Sequence, residues 1–148
     1  MTSDDLNEIM EIERLSFISP WEKTLFVQEL ENPRITLRVI REKSRVIGYL
    51  ALYQVLDEVH LMSIAVHPGF RRQGTASGLL LATLSDCLRR GGKILYLEVR
   101  ENNYGAIAFY RGLHLVQTGV RPRYYQDTGE NALLLQGEIE NILKISHS

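Results

Sequence analysis

The chain of 148 residues holds a single cysteine, Cys87. One cysteine cannot close an internal disulfide, so a reducing, cytoplasmic setting is expected. Cys87 lies beside Leu84 and Leu88 in a helical run and reads as a small core residue rather than a nucleophile. No apolar run approaches the roughly 18 residues that cross a bilayer, so no membrane span is expected. The opening Met1-Thr2-Ser3-Asp4-Asp5 is acidic and lacks the basic and apolar regions of a secretory signal. Charge of one sign is not in excess: 17 Lys and Arg face 18 Asp and Glu, for a net charge of −1. A chain without a global basic field is a poor non-specific ligand for nucleic acid. The four histidines, His60, His67, His114 and His147, are scattered with no spacing suited to a metal, and none is expected. Repeats, linkers and low-complexity segments are missing too.

What is present is an ordinary globular composition, 45% apolar and 24% charged. The length suits one domain over residues 1–148, with enough chain for a substantial core. The most informative stretch is His67-Pro68-Gly69-Phe70-Arg71-Arg72-Gln73-Gly74-Thr75-Ala76. It follows an alternating apolar run, Glu58 to Val66, and opens a helical run, Thr75 to Arg90. The first amides of a helix have no partner within it and lie at the positive end of its dipole, which makes an anion site. Gly74 and Ala76 are small enough for a ligand to lie against the backbone, and Arg71 and Arg72 can add charged hydrogen bonds to phosphate. A P-loop is excluded, because Thr75 and Ala76 stand where Lys and Ser/Thr belong. The dinucleotide fingerprint is excluded by the spacing of Gly74-Thr75-Ala76-Ser77-Gly78. The plain alternative is a strand-to-helix turn with solvated arginines.

In chain order, residues 4–17 read as a helix with Leu6, Ile9, Met10 and Phe17 inward, capped by Ser3 or Thr2. Ser19-Pro20-Trp21-Glu22 opens a second helix that runs to about Glu31, before Pro33. The aromatic connection Phe17–Trp21 either staples the helix pair or forms a wall of a substrate groove. Residues 35–41 and 45–55 form a hairpin around Glu42-Lys43-Ser44, with Gly48 marking a close approach or a bend. The third strand follows, His60 to Val66, and the three strands are expected to be antiparallel. The long helix turns its broad apolar face (Leu79, Leu80, Ala82, Thr83, Leu84, Cys87, Leu88) inward and ends at Gly91-Gly92. Lys93 to Val99, nearly all apolar, reads as a parallel strand covered on both faces. A short helix, Tyr104 to Gly112, is capped by Asn102 or Asn103, with Ala106, Phe109, Tyr110 and Leu113 inward. Two strands close the fold, Leu115–Arg121 and Ala132–Glu138, joined through the polar turn Gln126–Gly129. The tail, Lys144 to Ser148, is expected to fray.

Three positions carry candidate chemistry. Glu98 stands near the carboxyl end of the parallel strand, where ligands gather in open α/β sheets. Apolar surroundings there would raise its pKa and make it a base; the alternative is an ion pair with Arg100 or Arg121. Tyr110 is either a core tyrosine or a hydroxyl donor to a leaving thiolate. Asn103 is a helix cap, a cofactor contact, or both. Tyr124 and Tyr125, beside Arg121-Pro122-Arg123, either cover a core edge or rim a binding surface.

The pattern Arg71-x-x-Gly74-x-Ala76 resembles the acetyl-CoA signature of the GNAT acetyltransferases, and so does the element order over nearly the whole chain. That order, α-α-β-β-β-α-β-α-β-β, implies a mixed α/β sheet of the acyl-CoA N-acyltransferase type. A narrower resemblance is to RimI-type N-terminal alanine acetyltransferases, which modify a small-subunit ribosomal protein. It is carried by Pro20-Trp21, Val55-Leu56-Asp57-Glu58, Ile64-Ala65-Val66, Arg72-Gln73-Gly74, Leu97-Glu98-Val99-Arg100, Asn103, Ala106-Ile107-Ala108 with Tyr110, and Tyr124-Tyr125. The resemblance implies acetyl-CoA as cosubstrate, a protein N-terminus as acceptor, and neither metal, nucleic acid nor membrane as partner. It implies that Ile64, Ala65 and Val66 present strand edge to the pantetheine. Arg72, Gln73, Gly74, Thr75, Ala76 and Ser77 would hold the pyrophosphate, with Asn103 a further contact. Glu98 would be the proton acceptor and Tyr110 the donor, with Trp21, Tyr124 and Tyr125 at the acceptor groove. Two departures stand out. Only two or three residues precede the first helix, so the family's outer first strand is expected to be short or missing. His114-Leu115 replaces the family's usual Gly-Phe at a turn where a positive φ suits glycine. Acetylation of another amine, and cofactor binding without turnover, are the alternatives to be excluded.

Overall fold

Ser3 to Ser16 forms helix α1 in the computed structural model, which describes residues 3–16, 31–71 and 74–146. Leu6, Ile9 and Ile12, three residues apart, make its buried face. Ser3 is already helical, so it is not the residue before the first turn, and Thr2 lies outside the described residues. The second helix, from Ser19 to about Glu31, falls almost wholly outside them as well, and Glu31 itself sits in a turn.

Strands β1 (Ile35–Glu42) and β2 (Arg45–Val55) pair antiparallel around Lys43-Ser44. β3 (Glu58–Val66) follows, then a single 3-10 turn, Pro68–Phe70, and helix α2 (Thr75–Arg89). β4 (Ile94–Arg100), α3 (Tyr104–Gly112), β5 (Val116–Arg121), β6 (Ala132–Glu138) and α4 (Ile139–Ser146) complete the order. The strands hydrogen-bond as one six-stranded mixed sheet in the order β1-β2-β3-β4-β6-β5. Within it β3 and β4 run parallel, with His60 opposite Tyr96, while β6 runs antiparallel to both β4 and β5.

The chain divides into two compact units. The first comprises residues 1–53 and 61–83. Its core joins Leu6, Ile9 and Ile12 of α1 to Val46 and Tyr49 of β2 and Ala65 of β3, with Met10, Leu37 and Val39 packed against them. Two charged groups fasten α1 to the hairpin: Asp5 pairs with Arg41, and the Glu8 carboxylate accepts the Val46 amide. β2 is buried without a break from Val46 to Leu52, so the strand covered on both faces is this one. A Cβ on Gly48 would meet the Ala65 carbonyl at 3.3 Å, the close approach its sequence position suggested.

The second unit comprises residues 54–60 and 84–148. α2 ends here in a paired cap: Gly92 N donates to Cys87 O (2.8 Å) and Gly91 N to Leu88 O (3.1 Å), with Gly91 at φ +90°. β4 alternates rather than hiding both faces. Leu95, Leu97 and Val99 are buried, while Ile94, Tyr96, Glu98 and Arg100 share a half-covered face. An apolar run alone cannot distinguish these cases, because Ile94 and Tyr96 occupy the wetter side. The inner side chains of α3 are Ile107, Tyr110 and Leu113, with Ala106 and Phe109 only partly covered. α2 likewise buries a narrower stripe than its sequence suggests, because Ala82 and Leu88 are exposed. The expected frayed tail is instead helical to Ser146. Ile139 and Ile142 anchor α4, and Glu140 pairs with Lys144 one turn on at 3.1 Å. Among the described residues no helix is long and apolar enough to cross a membrane.

Candidate active site

In the first unit, β3 ends at Val66 and delivers the chain into the basic turn. His67 caps the 3-10 turn, its Nδ1 accepting from Gly69 N at 3.2 Å. Arg71 folds back so that its Nε donates to the Val66 carbonyl at 3.0 Å. This sets the guanidinium beside the strand end and ties it to the backbone, a contact the sequence did not suggest. Ala65 and Val66 are buried and Ile64 is partly exposed. Gly74 takes φ +76°, a conformation that disfavours any side chain, and nothing lies within 4 Å of where its Cβ would be. The first turn of α2 carries no acidic side chain. The amides of Thr75, Ala76 and Ser77 open a 15-residue helix at the positive end of its dipole, where an anion is favoured. These features fit a diphosphate. Arg72 and Gln73, assigned to the same turn, lie outside the described residues, as does Trp21.

In the second unit, Glu98 sits on the half-covered face of β4. His60 is opposite Tyr96 on the parallel neighbour, and Tyr96 and Glu98 are two residues apart on one face. Register therefore brings the imidazole to the carboxylate: His60 Nε2 lies 2.6 Å from Glu98 Oε2. An ionised carboxylate only accepts, so the imidazole N–H donates. This bond, chiefly, holds the Glu98 carboxyl below the usual carboxylate range; burial opposes it, and Arg121 assists through its charge. Of the two readings the ion pair is the one found, with His60 rather than Arg100 or Arg121 as the bonded partner. Arg100, on the same face of β4, is engaged elsewhere, taking Asp127 through both terminal nitrogens (2.9 and 2.8 Å) and reaching Glu130 at 3.4 Å.

Tyr110 projects inward from α3 and is buried, which raises its hydroxyl above the ordinary tyrosine value. The neighbouring Tyr125 adds to the rise. Asn103 caps this helix, its Oδ1 accepting from Ala106 N at 3.1 Å, and Asn102 does not. The unit thus holds a carboxylate kept ionised and a hydroxyl kept protonated, both within electrostatic reach of Tyr125.

The sequence model of the acetyltransferase (GNAT) family matches residues 6–115. The chain belongs to this family. It is similar to a Bacillus subtilis (strain 168) protein provisionally named as a [ribosomal protein bS18]-alanine N-acetyltransferase: 35% identity over 136 residues, covering 91% of this chain and 90% of the other. Among solved structures it is similar to the ribosomal-protein-S18-alanine N-acetyltransferase from Escherichia coli. There the TM-score is 0.84 and identity 30%, over 94% of this chain and 90% of that one. Ard1 from Thermoplasma volcanium superimposes with a TM-score of 0.87 at 27% identity, over 93% of each chain.

In this acetyltransferase the loop between β5 and β6 carries an aromatic pair. Tyr124 and Tyr125 meet edge to face with centroids 5.0 Å apart. Arg121 stands 5.7 Å over the Tyr124 ring and Arg100 stands 4.1 Å over that of Tyr125. Tyr124 remains 44% exposed, whereas partial burial pushes the Tyr125 hydroxyl up to about 12. The residue that sequence reasoning missed is His60. Its signal was the register between β3 and β4, which no single strand reveals. Cys87 is fully buried, as its sequence setting suggests. Among the described residues no group of three His, Cys, Asp or Glu could hold a metal.

Proposed function

We propose that this acetyltransferase moves an acetyl group from acetyl-CoA to the α-amine of a protein N-terminus, and that the acceptor is the N-terminal alanine of ribosomal protein bS18. The observation that carries the reaction is the pairing of opposite proton affinities in one unit: Glu98 held ionised by His60, Tyr110 held protonated by burial. The acceptor is supported by relatives that carry that name and match along about nine-tenths of both chains. The whole chain acts as one domain in this reading, in the cytoplasm, where nascent ribosomal proteins are found.

In this reading the amides at the start of α2 and the left-handed turn at Gly74 take the cosubstrate's diphosphate. Glu98 serves as proton acceptor and Tyr110 as proton donor. An α-amine has an ordinary pKa of about 7.7–8.0, so a minority is neutral and nucleophilic at pH 7. Net transfer from the free ammonium to an ordinary carboxylate, near 4.3, would be uphill by about 5 kcal/mol. Glu98, lower still, therefore accepts the proton as the C–N bond forms, when charge building on nitrogen makes it far more acidic. Tyr110 gives its proton to the departing thiolate, and its raised affinity keeps that proton in place until then. Position supplies much of the rate. Attack is direct: Cys87, with no exposed surface, cannot carry the acetyl group.

The test is mass spectrometry of N-terminal peptides incubated with enzyme and acetyl-CoA. A peptide with the bS18 terminus is expected to gain one acetyl group on its α-amine, ahead of peptides with other first residues. Acetylation of internal lysines or of polyamines in its place would overturn the acceptor assignment.

A further inference from the structure

We propose that His60 is a positioning residue of the transfer site, fixing one oxygen of Glu98 so that the other is aimed at the reacting nitrogen. This rests on the reading of Glu98 as proton acceptor.

Three observations carry it. First, the bond is short and charge-assisted, 2.6 Å from ring nitrogen to carboxylate, and it spans 38 residues of sequence, so the parallel register of β3 on β4 sets it. Second, the alternative holders of Glu98 are accounted for. Arg100 is committed to Asp127 and Glu130, and Arg121, 5.7 Å over the Tyr124 ring, acts on Glu98 through its charge. Third, the pair is partly open to solvent, the side chains 27% and 18% exposed. A pair built only for stability gains little in such a position. A carboxylate has two oxygens and about four lone-pair sites. With Oε2 bound by the imidazole, rotation of the carboxyl group is stopped, and Oε1 offers its lone pairs in a fixed direction. The proton leaving the amine nitrogen arrives on Oε1, while the Nε2–H bond to Oε2 stays in place throughout. His60 therefore gains and loses nothing in the step, and its role is orientation.

The groups acting on the Glu98 charge are His60 on β3, Arg121 on β5, Tyr125 in the loop that follows and Glu98's own backbone amide on β4. Removing the imidazole leaves burial, which raises the carboxyl, opposed by the weaker effects of Arg121 and of Glu98's own backbone amide. The acidic limb of kcat then moves to higher pH, a displacement that a purely structural role would not produce.

The experiment compares wild type, His60→Ala, His60→Gln and Glu98→Gln in kcat and in KM for acetyl-CoA, from about pH 3.5 to 9, so that the range extends below the ordinary carboxylate value. His60→Ala is expected to lose about tenfold in kcat with KM for acetyl-CoA unchanged, and to shift its acidic limb upward. His60→Gln, whose side-chain N–H can take the place of Nε2–H, is expected to recover most of the rate and restore the limb. The partly exposed ring leaves no buried cavity when truncated, and the Gln variant gives a second measurement should the Ala variant be unstable. An impaired Glu98→Gln beside a His60→Ala indistinguishable from wild type in kcat and acidic limb would overturn the positioning role alone. Normal turnover by Glu98→Gln would overturn the assignment of Glu98, and that of His60 with it.

Discussion

Arg100 lies 4.1 Å over the ring of Tyr125 while both of its terminal nitrogens hold Asp127. One side chain thereby fixes the two ends of a short stretch of the β5–β6 loop. Glu130 adds a third tie, and the Thr128 hydroxyl donates to Glu130 at 2.8 Å. A planar, forked cation can stack and bind bidentately at once; a lysine ammonium cannot do both.

Arg100→Lys is accordingly expected to loosen the loop rather than the fold. KM for the acceptor peptide should rise about tenfold, with kcat within about twofold. The melting temperature should fall by about 2–4 °C, the scale of a 1 kcal/mol loss in a chain of this size. Steady-state kinetics with peptide as the varied substrate checks this, and an unchanged KM would detach the loop from acceptor binding.

Glu98→Gln preserves shape and removes the proposed proton acceptor. We expect kcat to drop by roughly 10²-fold or more, with affinity for acetyl-CoA retained in calorimetry. The same variant reports on stability. Because the folded Glu98 carboxyl lies below its unfolded value, its stabilising contribution is present above the ordinary carboxylate value of 4.5 and is lost as pH falls through the folded one. The stability gap between wild type and variant, read from urea midpoints, should therefore narrow from pH 6 to pH 3. A gap that stays constant would mean the carboxylate is not held by His60 in solution.

For Tyr110→Phe the ring is kept and only the hydroxyl goes. Loss of a proton donor to a thiolate should slow turnover by about 10- to 100-fold, the low end of acid–base effects because thiolates leave well. Rates with acetyl-CoA analogues of better leaving ability should be less affected. Equal slowing across such analogues would remove Tyr110 from the donor role.

His114 takes φ +67° at the end of α3, in the place where helices usually carry glycine. The cap is complete despite the side chain: His114 N donates to Arg111 O at 2.9 Å and Leu115 N to Tyr110 O at 3.2 Å. The turn thus also anchors the backbone of the candidate donor. A non-glycine residue in this conformation costs about 1 kcal/mol, part of which glycine would return through greater freedom of the unfolded chain. His114→Gly should therefore raise the melting temperature by about 2 °C without altering kcat. A fall in melting temperature would show that the exposed imidazole makes a compensating contact.

Much of this was legible in the chain because it is local. The alternation in Glu58–Val66, the glycine turn and the helical run after it specify strand, turn and helix within one continuous stretch, Glu58 to Arg89. Asn103 was recognisable as a cap, and Gly91-Gly92 as a stop. What was illegible depended on pairing. Glu98 looked apolar in its setting because its neighbours in sequence are Leu97 and Val99, yet those side chains point to the opposite face. Its real neighbour is 38 residues away. α4 was hidden because β6 passes into it without a break at Glu138, and its short inner stripe needed Ile139 and Ile142 to be seen buried.

By itself, the sequence determined the order of elements from the first hairpin to the last strand and the residue types at hand for the chemistry, since periodicity, caps and turn glycines act over a few residues, and its turn motif pointed to the acetyltransferase family. Only the tertiary structure decided which groups meet. Strand register sets contacts between residues distant in the chain, so the choice of His60 over an arginine as the partner of Glu98, and with it the direction in which that carboxyl titrates, could not be read until β3 lay beside β4.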